Sequence, residues 1–228
     1  LELASTAMIA IRARGKMPII IGGTGMYLDA ALNGIAPIPV VPATIHEDCM
    51  SLFDAIGGEA FRQKLALHDP LVASRLASGD RQRLIRAMGV FYATGIALGQ
   101  FQKAEHKGAL IGRPVKIAML PPRDVLYARI DARFDLMLEQ GAMDEVRQLI
   151  HRQLDPSLPL MKALGVRALR AVLDQEMTID EAAYIAKRDS RHYAKRQMTW
   201  LRNNYNAQII INTKLSESLM ERIFSLIR

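Results

Sequence analysis

Cationic side chains are concentrated in residues 187–202, which have the sequence KRDSRHYAKRQMTWLR with six Lys or Arg and one acid. At about 100° per residue on a helix, the cations and one Thr share a narrow arc, formed by Arg188, Arg191, Lys195, Thr199 and Arg202. A packing face opposite comprises Ala183, Ala186, Tyr193, Ala194, Trp200 and Leu201. Like charges repel one another unless an anion lies against them, so the pattern favours a polyanionic ligand. A charged stripe facing solvent is the alternative.

A glycine-rich turn is the second candidate for chemistry. Gly22-Gly23-Thr24-Gly25 follows the apolar run Met17–Ile21 and precedes a helical stretch that begins at Met26. A turn between a strand and a helix directs backbone N–H groups at one point, which suits a phosphate or a diphosphate. The Thr24 hydroxyl would be a further donor. The alternative is that the glycines only allow a tight turn.

Two arginines form a third candidate. Arg129 and Arg133 lie four residues apart on the helix predicted after a second apolar run, Val115–Leu120. Two guanidinium groups at the carboxyl edge of a parallel sheet can grip a diphosphate through paired hydrogen bonds. Local pairing with Asp131 or Asp135 is equally compatible with the sequence.

Composition limits the functional classes. A net charge of +7 and a pI near 9.7 favour nucleic acid or phosphorylated small molecules as partners. Cys49 is the only cysteine, and no apolar run approaches the roughly 20 residues of a membrane span, so we expect a cytoplasmic protein without membrane association. The histidines lack the spacing of a metal site, and neither a Ser-His-Asp arrangement nor a Walker A motif occurs.

The helices and strands that must position these residues are predicted from hydrophobic periodicity and from residues that start or stop helices. We predict helices over 2–14, 26–33 and most of 44–105. We predict strands over Met17–Ile21, Val115–Leu120 and Ala207–Asn212. Helix caps are predicted at Asp124 and Ser216, and a capping box is predicted at Thr178 to Glu181. The fold class predicted is α/β, with a parallel sheet flanked by helices, built from 1–43 and 113–228 and interrupted by an all-helical insertion over 44–112. Three strands make a thin sheet, so we expect its N-terminal strands to be missing from this chain.

Four ordered motifs, Pro18–Leu28, Asp80–Ala87, Ala163–Arg167 and Lys195–Arg202, resemble the tRNA dimethylallyltransferase family from end to end of the chain. The resemblance implies a P-loop-kinase-like fold. It also implies transfer of a dimethylallyl group from dimethylallyl diphosphate, with Mg²⁺, to the exocyclic amine of the adenosine 3′ of the tRNA anticodon. The partner would be the anticodon stem-loop, and we expect a monomer. An enzyme acting on free adenylate and a non-catalytic RNA-binding module remain alternatives.

The resemblance also implies residue roles. Thr24 would be catalytic, and Gly22, Gly23, Arg129 and Arg133 would bind the diphosphate. Contacts with tRNA would come from Gln82, Arg83, Leu84, Ile85, Arg86, Ala163, Leu164, Gly165, Val166, Arg167, Ala168, Lys195, Arg196, Gln197, Met198, Thr199, Trp200, Leu201 and Arg202. The cationic arc of the helix adds Arg188 and Arg191 to the residues that we expect to bind tRNA. His46 stands where the family commonly has an Arg. The family's P-loop and general base would precede Leu1, so we expect the 228 residues alone to be inactive and to hold no metal ligand.

Overall fold

The structure is a computed structural model that describes residues 1–156, 158–212 and 217–227. Two compact units divide the chain. The first comprises residues 1–22 and 26–112, and the second comprises residues 23–25 and 113–228. Our prediction of one core over 1–43 and 113–228 with an insertion over 44–112 stays a prediction.

Helices make up the regular structure of the first half of the chain. They are α1 (Glu2–Ala13), α2 (Gly25–Asn33), α3 (Ala43–Ile56), α4 (Gly58–Ala66), α5 (Pro70–Arg75), α6 (Arg81–Thr94) and α7 (Leu98–Lys103). Phe61, Leu65, Leu84 and Met88 are fully buried between α4 and α6 and their neighbours. The helical prediction for 44–105 is confirmed.

The second half of the chain contains both strands of the described structure. Its elements are β1 (Ile117–Met119), α8 (Arg123–Glu139), α9 (Ala142–His151), a 3₁₀ turn (Pro159–Lys162), α10 (Val166–Leu173), α11 (Ile179–Asn204), β2 (Ile209–Ile211) and α12 (Glu217–Ile227). The strands are parallel, with Ile117 opposite Ile209 and Met119 opposite Ile211. The predicted strands at Val115–Leu120 and Ala207–Asn212 are confirmed, although each is shorter than its apolar run.

The predicted strand at Met17–Ile21 is wrong. Within the described residues this segment pairs with no strand, and Ile19 and Ile21 are 77% and 91% exposed. An apolar, β-branched run favours an extended backbone, but a strand also needs a neighbour that offers N–H and C=O groups. The described chain is therefore mostly helical and contains a two-stranded parallel sheet, not the three-stranded sheet we expected.

Two of the predicted helix caps have different outcomes. Asp124 does not cap α8, because the chain enters this helix two residues earlier, through Pro121-Pro122. Pro122 is the N-cap, and Asp124 lies in the first turn. A carboxylate there still interacts favourably with the positive end of the helix dipole. The predicted cap at Ser216 lies outside the described residues.

Two apolar clusters hold α11 in the second unit. Phe134, Val146 and Leu169 pack with Ala182 and Ala186 from the first half of α11. A separate cluster, Ala118, Leu120 and Met198, packs the sheet against the second half of α11. Helix α11 is therefore anchored along most of its length, and its remaining faces are available for other contacts.

Among the described residues, no helix is long and apolar enough to cross a membrane.

Candidate nucleic-acid interface on helix α11

The start of α11 is fixed by its own side chains. The Thr178 hydroxyl accepts a hydrogen bond from the Glu181 N–H at 3.3 Å, and the Glu181 carboxylate accepts one from the Thr178 N–H at 2.8 Å. The Thr178 N–H and the Thr178 hydroxyl, which also donates to the Glu181 carboxylate at 2.9 Å, lower the pKa of the Glu181 carboxyl, because both stabilise its ionised form. The predicted capping box is confirmed, and α11 begins at a defined residue.

Three basic residues in the first part of the cationic segment are paired with acids. Arg191 Nη1 lies 2.7 and 2.8 Å from the two carboxylate oxygens of Asp131 on α8. Lys187 Nζ lies 2.5 Å from the carboxylate of Asp135, also on α8. Arg188 donates to the neighbouring Asp189 at 3.0 Å. These three are called the paired cations, and their counter-anions belong to the protein itself.

Three basic residues in the second part have no acidic partner among the described residues. Lys195, Arg196 and Arg202 are exposed, and no carboxylate of the described residues forms a salt bridge with them. The Arg196 guanidinium lies 5.6 Å from the ring centroid of Tyr193, an arrangement that leaves its N–H groups available. These three are called the free cations.

An open groove of about 500 Å³ runs beside two of the free cations. It is lined by His192, Lys195, Arg196, Thr199, Trp200, Asn203 and Asn204. None of these lining residues is acidic, and several are hydrogen-bond donors. A neighbouring cavity of about 110 Å³ is lined in part by Lys195 and Arg202. Both surfaces suit a phosphate backbone.

Sequence reasoning missed several residues at this surface. His192, Asn203 and Asn204 line the groove, and Arg123 and Tyr127 on α8 line the smaller cavity. Arg123 Nε donates to the Tyr127 hydroxyl at 2.9 Å, and its guanidinium lies 5.0 Å from the ring centroid. The spacing of four residues between Arg123 and Tyr127, and between His192 and Arg196, was the available signal.

Two glycines of the predicted phosphate turn are in contact with α11. Gln197 Nε2 donates to the Gly23 carbonyl oxygen at 2.9 Å. A Cβ at position 23 would lie 2.5 Å from that nitrogen, and a Cβ at position 25 would lie 2.3 Å from the Trp200 ring. Neither glycine has a left-handed φ. Position 25 therefore needs glycine because the Trp200 ring lies against it, whereas a side chain at position 23 would displace the end of the Gln197 side chain.

The rest of the turn is open. Thr24 is exposed at the surface of the second unit. Around Gly22, no described atom comes within 4 Å of the position that a Cβ would occupy, and its φ is not left-handed. Neither packing nor backbone conformation in the described structure requires glycine at 22. The predicted roles of Gly22, Gly23 and Thr24 stay predictions.

Arg129 and Arg133 are exposed on α8. Their alternative partners are engaged elsewhere, since Asp131 pairs with Arg191 and Asp135 pairs with Lys187. No other carboxylate among the described residues forms a salt bridge with either arginine. Local pairing, the alternative to a diphosphate role, is absent from the described structure, and the diphosphate role stays a prediction.

Four of the predicted tRNA-binding residues have buried side chains. Leu84 and Ile85 are 0% and 1% exposed in the core of the first unit, and Ala168 and Met198 are 7% exposed in the second. Leu201 packs beside Met198. At these positions the side chains stabilise the fold, and a contact with RNA would have to come from backbone groups. Their role in binding stays a prediction.

The other residues of the first-unit motif are exposed. Gln82, Arg83 and Arg86 lie at the surface of α6. Arg83 pairs with Asp80 at 2.8 Å, and Arg86 donates to the Pro39 carbonyl at 3.3 Å. These bonds lie at the protein surface, where they contribute little and can be exchanged for phosphate contacts.

The segment from Ala163 to Ala168 leads into α10. Ala163, Leu164 and Arg167 are exposed, and Val166 is partly buried. Gly165 has a φ of +87°, and a Cβ there would lie 3.1 Å from the Phe134 ring. Glycine is therefore required at 165 by its backbone conformation and by packing.

Thr199, which lines the groove on α11, donates to the Lys195 carbonyl at 2.9 Å.

Comparison with known proteins gives a consistent result. A family model described as IPP transferase matches residues 1–204. The tRNA dimethylallyltransferase of Paramagnetospirillum magneticum is 43% identical over 227 residues, covering 100% of this chain and 72% of the relative. That of Phenylobacterium zucineum is 47% identical over 203 residues, covering 89% and 65%. The chain thus spans about two thirds to three quarters of the length of these relatives.

Solved structures are similar as well. A full-length tRNA isopentenylpyrophosphate transferase from Bacillus halodurans is 30% identical with a TM-score of 0.61, covering 99% of this chain and 70% of that one. A eukaryotic dimethylallyltransferase acting on tRNA has a TM-score of 0.73 at 23% identity, covering 97% and 58%. The latter supports the fold alone.

Proposed function

Because the chain belongs to the IPP transferase family, we propose that it acts in tRNA modification as a tRNA dimethylallyltransferase. The group transferred is dimethylallyl, its donor is dimethylallyl diphosphate, and its acceptor is the exocyclic amine of the adenosine 3′ of the anticodon. One observation supports assigning tRNA to the free cations and the diphosphate donor to the glycine turn. The free cations and residues Gly23–Gly25 of the turn belong to one compact unit, and the bond from Gln197 to Gly23 joins α11 to the turn.

The free cations are assigned to the tRNA backbone. Lys195, Arg196 and Arg202 carry charges that no acid in the described part of the chain neutralises. Phosphates of an anticodon stem-loop would supply the missing anions and release condensed counterions. The groove beside Trp200 adds a ring against which a splayed base can stack, as is common in recognition of RNA loops. The target base must leave the loop to be modified.

The glycine turn and the two arginines of α8 are assigned to the donor. In the transfer, the bond between the allylic carbon and the diphosphate oxygen breaks, and the bond between that carbon and the amine nitrogen forms. The diphosphate leaves with the electron pair, and the amine loses a proton. The protein's part is to stabilise the departing anion with N–H donors, the Thr24 hydroxyl and the Arg129 and Arg133 guanidinium groups, and to hold the amine in line.

Magnesium is assigned to the diphosphate of the donor. Within the described residues, no group of three or more His, Cys, Asp or Glu could hold a metal ion. A diphosphate itself offers the oxygen ligands that Mg²⁺ prefers.

Binding of tRNA across a salt series tests the proposed function. If several phosphates are neutralised, the logarithm of the association constant falls steeply and linearly with the logarithm of the salt concentration. Adenosine monophosphate serves as the matched small ligand. Weak tRNA binding with a flat salt dependence, together with prenylation of free adenylate, would contradict the tRNA assignment and support the free-nucleotide enzyme. Steep tRNA binding without prenyl transfer by the full-length protein would support a binding module.

Three further predictions have direct measurements. Residues 1–228 alone are expected to be inactive, which an assay of this segment with dimethylallyl diphosphate and tRNA checks. A monomer is expected, which light scattering at several concentrations checks. A cytoplasmic location is expected, which fractionation checks.

A further inference from the structure

We propose that Gln197 is a positioning residue that holds the turn Gly23–Gly25 against α11, so that the helix that binds tRNA also sets the position of Thr24. This inference rests on the proposed function, because it assigns a role within the same site. It changes the expected role of Gln197 from contacting tRNA to fixing the donor side of the site.

The bond from Gln197 fixes a specific peptide group. Its amide nitrogen donates to the Gly23 carbonyl oxygen at 2.9 Å in a partly buried position, across 174 residues of sequence. The Gly23 carbonyl and the Thr24 N–H belong to one planar peptide unit. Fixing the carbonyl direction therefore fixes the direction of the Thr24 N–H, which points away from it. A diphosphate bound at the turn would meet a donor whose orientation is already set.

Trp200 holds the other end of the turn. Three carbon atoms of its ring lie 2.3 to 2.7 Å from where a Cβ of residue 25 would be, so the ring covers the Gly25 backbone. Gln197 and Trp200 are three residues apart on α11 and thus face the same direction. Together they contact the residues on both sides of Thr24. The Thr24 side chain itself stays exposed.

The free cations are on the same rigid element. Lys195 and Arg196 directly precede Gln197, and Met198, which is 7% exposed, anchors this part of α11 in the core. Since the helix backbone is hydrogen-bonded throughout, phosphates bound at Lys195 and Arg196 have a fixed distance to the turn. Loss of the Gln197 bond should therefore impair the reaction geometry and leave the tRNA contacts intact.

The test is Gln197→Met in the full-length protein, which keeps the side-chain length and removes the donor. Gln148→Met is the matched control, because Gln148 is exposed on α9 and outside the proposed site. We expect kcat to fall about tenfold or more, since small misplacements of reacting groups are costly. The Kd for tRNA should stay within about twofold, because the phosphate contacts remain. If Gln197 only binds tRNA, the Kd for tRNA should rise while kcat stays unchanged, and this result would overturn the proposal.

Hydrogen–deuterium exchange gives a readout that does not depend on turnover. Amides of the segment 19–27 should exchange faster in Gln197→Met than in the wild type, whereas Gln148→Met should leave them unchanged. Unchanged exchange in Gln197→Met would overturn the positioning role whatever the activity. If the wild-type protein transfers no dimethylallyl group, the proposed function fails, and the exchange result still decides whether Gln197 holds the turn.

A glycine variant tests the same contact from the other side. Gly23→Ala places a methyl group 2.5 Å from the Gln197 nitrogen and must displace it. Gly79→Ala is the control, because no described atom lies within 4 Å of its Cβ position and its φ is not left-handed. We expect Gly23→Ala to reproduce the exchange and kcat effects of Gln197→Met. Wild-type exchange and kcat in Gly23→Ala would overturn the proposal.

Discussion

The two groups of cations on α11 belong to one helix and one sequence segment, but their surroundings differ. Lys187, Arg188 and Arg191 are paired with Asp135, Asp189 and Asp131. Lys195, Arg196 and Arg202 have no such partner among the described residues. The difference teaches that a run of cations is not one binding surface. Its paired part holds the helix in the fold, and its free part is available to a ligand.

Reversing charges in the free part should have the largest effect. Lys195→Glu combined with Arg202→Glu removes two phosphate contacts and adds repulsion, so we expect tRNA affinity to fall by about 100-fold at moderate salt. The salt dependence should also become less steep. Fluorescence anisotropy with a labelled anticodon stem-loop measures both.

Its matched control reverses two cations elsewhere in the second unit. Arg147→Glu with Arg170→Glu makes the same change in net charge at residues paired with Asp144 and Asp174. We expect only a small, strongly screened loss of affinity. An equal loss in both double variants would mean that total charge, and not the free cations, determines binding.

Removing the cap of α11 should have a smaller effect and on a different quantity. Thr178→Ala removes the hydroxyl that accepts from Glu181 N–H, so we expect the free energy of unfolding to fall by about 1 kcal/mol. Thr178→Ser keeps the hydroxyl and should stay near the wild type. Urea unfolding measures the change. Equal stabilities in the Ala and Ser variants would mean that the capping box does not stabilise the start of the helix.

Asp131→Ala should change stability and affinity in opposite directions. Loss of the pair with Arg191 should cost about 0.5 kcal/mol, because the pair is only partly buried. The released Arg191 should raise tRNA affinity about two- to threefold, since a repulsive carboxylate is gone and a cation is freed. Asp144→Ala, which removes an acid paired with Arg147 on α9, should leave affinity unchanged. A fall in affinity of Asp131→Ala would contradict the division into paired and free cations.

The smallest effect expected is a change in acid sensitivity. The hydrogen bonds to Thr178 lower the pKa of Glu181 in the folded state. Its contribution to stability is therefore complete above the unfolded pKa of about 4.3 and is lost as the pH falls through the lower folded value. Glu181→Gln should lose less stability than the wild type as the pH falls through this range. Glu47→Gln, at an exposed carboxylate on α3, is the control and should follow the wild type.

The capping box and two of the three predicted strands could be predicted from the sequence, and the third predicted strand could not. The capping box was predictable because its donors and acceptors lie within four residues of one another. The two strands Ile117–Met119 and Ile209–Ile211 were predictable because both are short apolar runs bounded by turn signals. Met17–Ile21 has the same pattern but no partner strand in the described structure, and nothing within the run could indicate this.

The sequence predicted residues of the candidate site, but it did not predict which acid pairs with which cation. Asp131 and Asp135 were considered as partners for Arg129 and Arg133, but they pair with Arg191 and Lys187. Which of two nearby cations an acid meets depends on how α8 packs against α11, and helix periodicity does not determine it. The contacts of Gln197 and Trp200 with the turn likewise join residues far apart in the sequence.

By itself, the sequence determined where α11 begins, how strongly basic the chain is and which family it resembles. These properties depend on neighbouring residues and on composition, and both are fully written in the chain. Only the tertiary structure decided which cations have no acidic partner among the described residues, why Gly25 must be glycine, and that Gln197 and Trp200 of α11 contact the residues beside Thr24. These properties depend on distances of a few ångströms between residues separated by tens to hundreds of positions, and packing alone sets such distances.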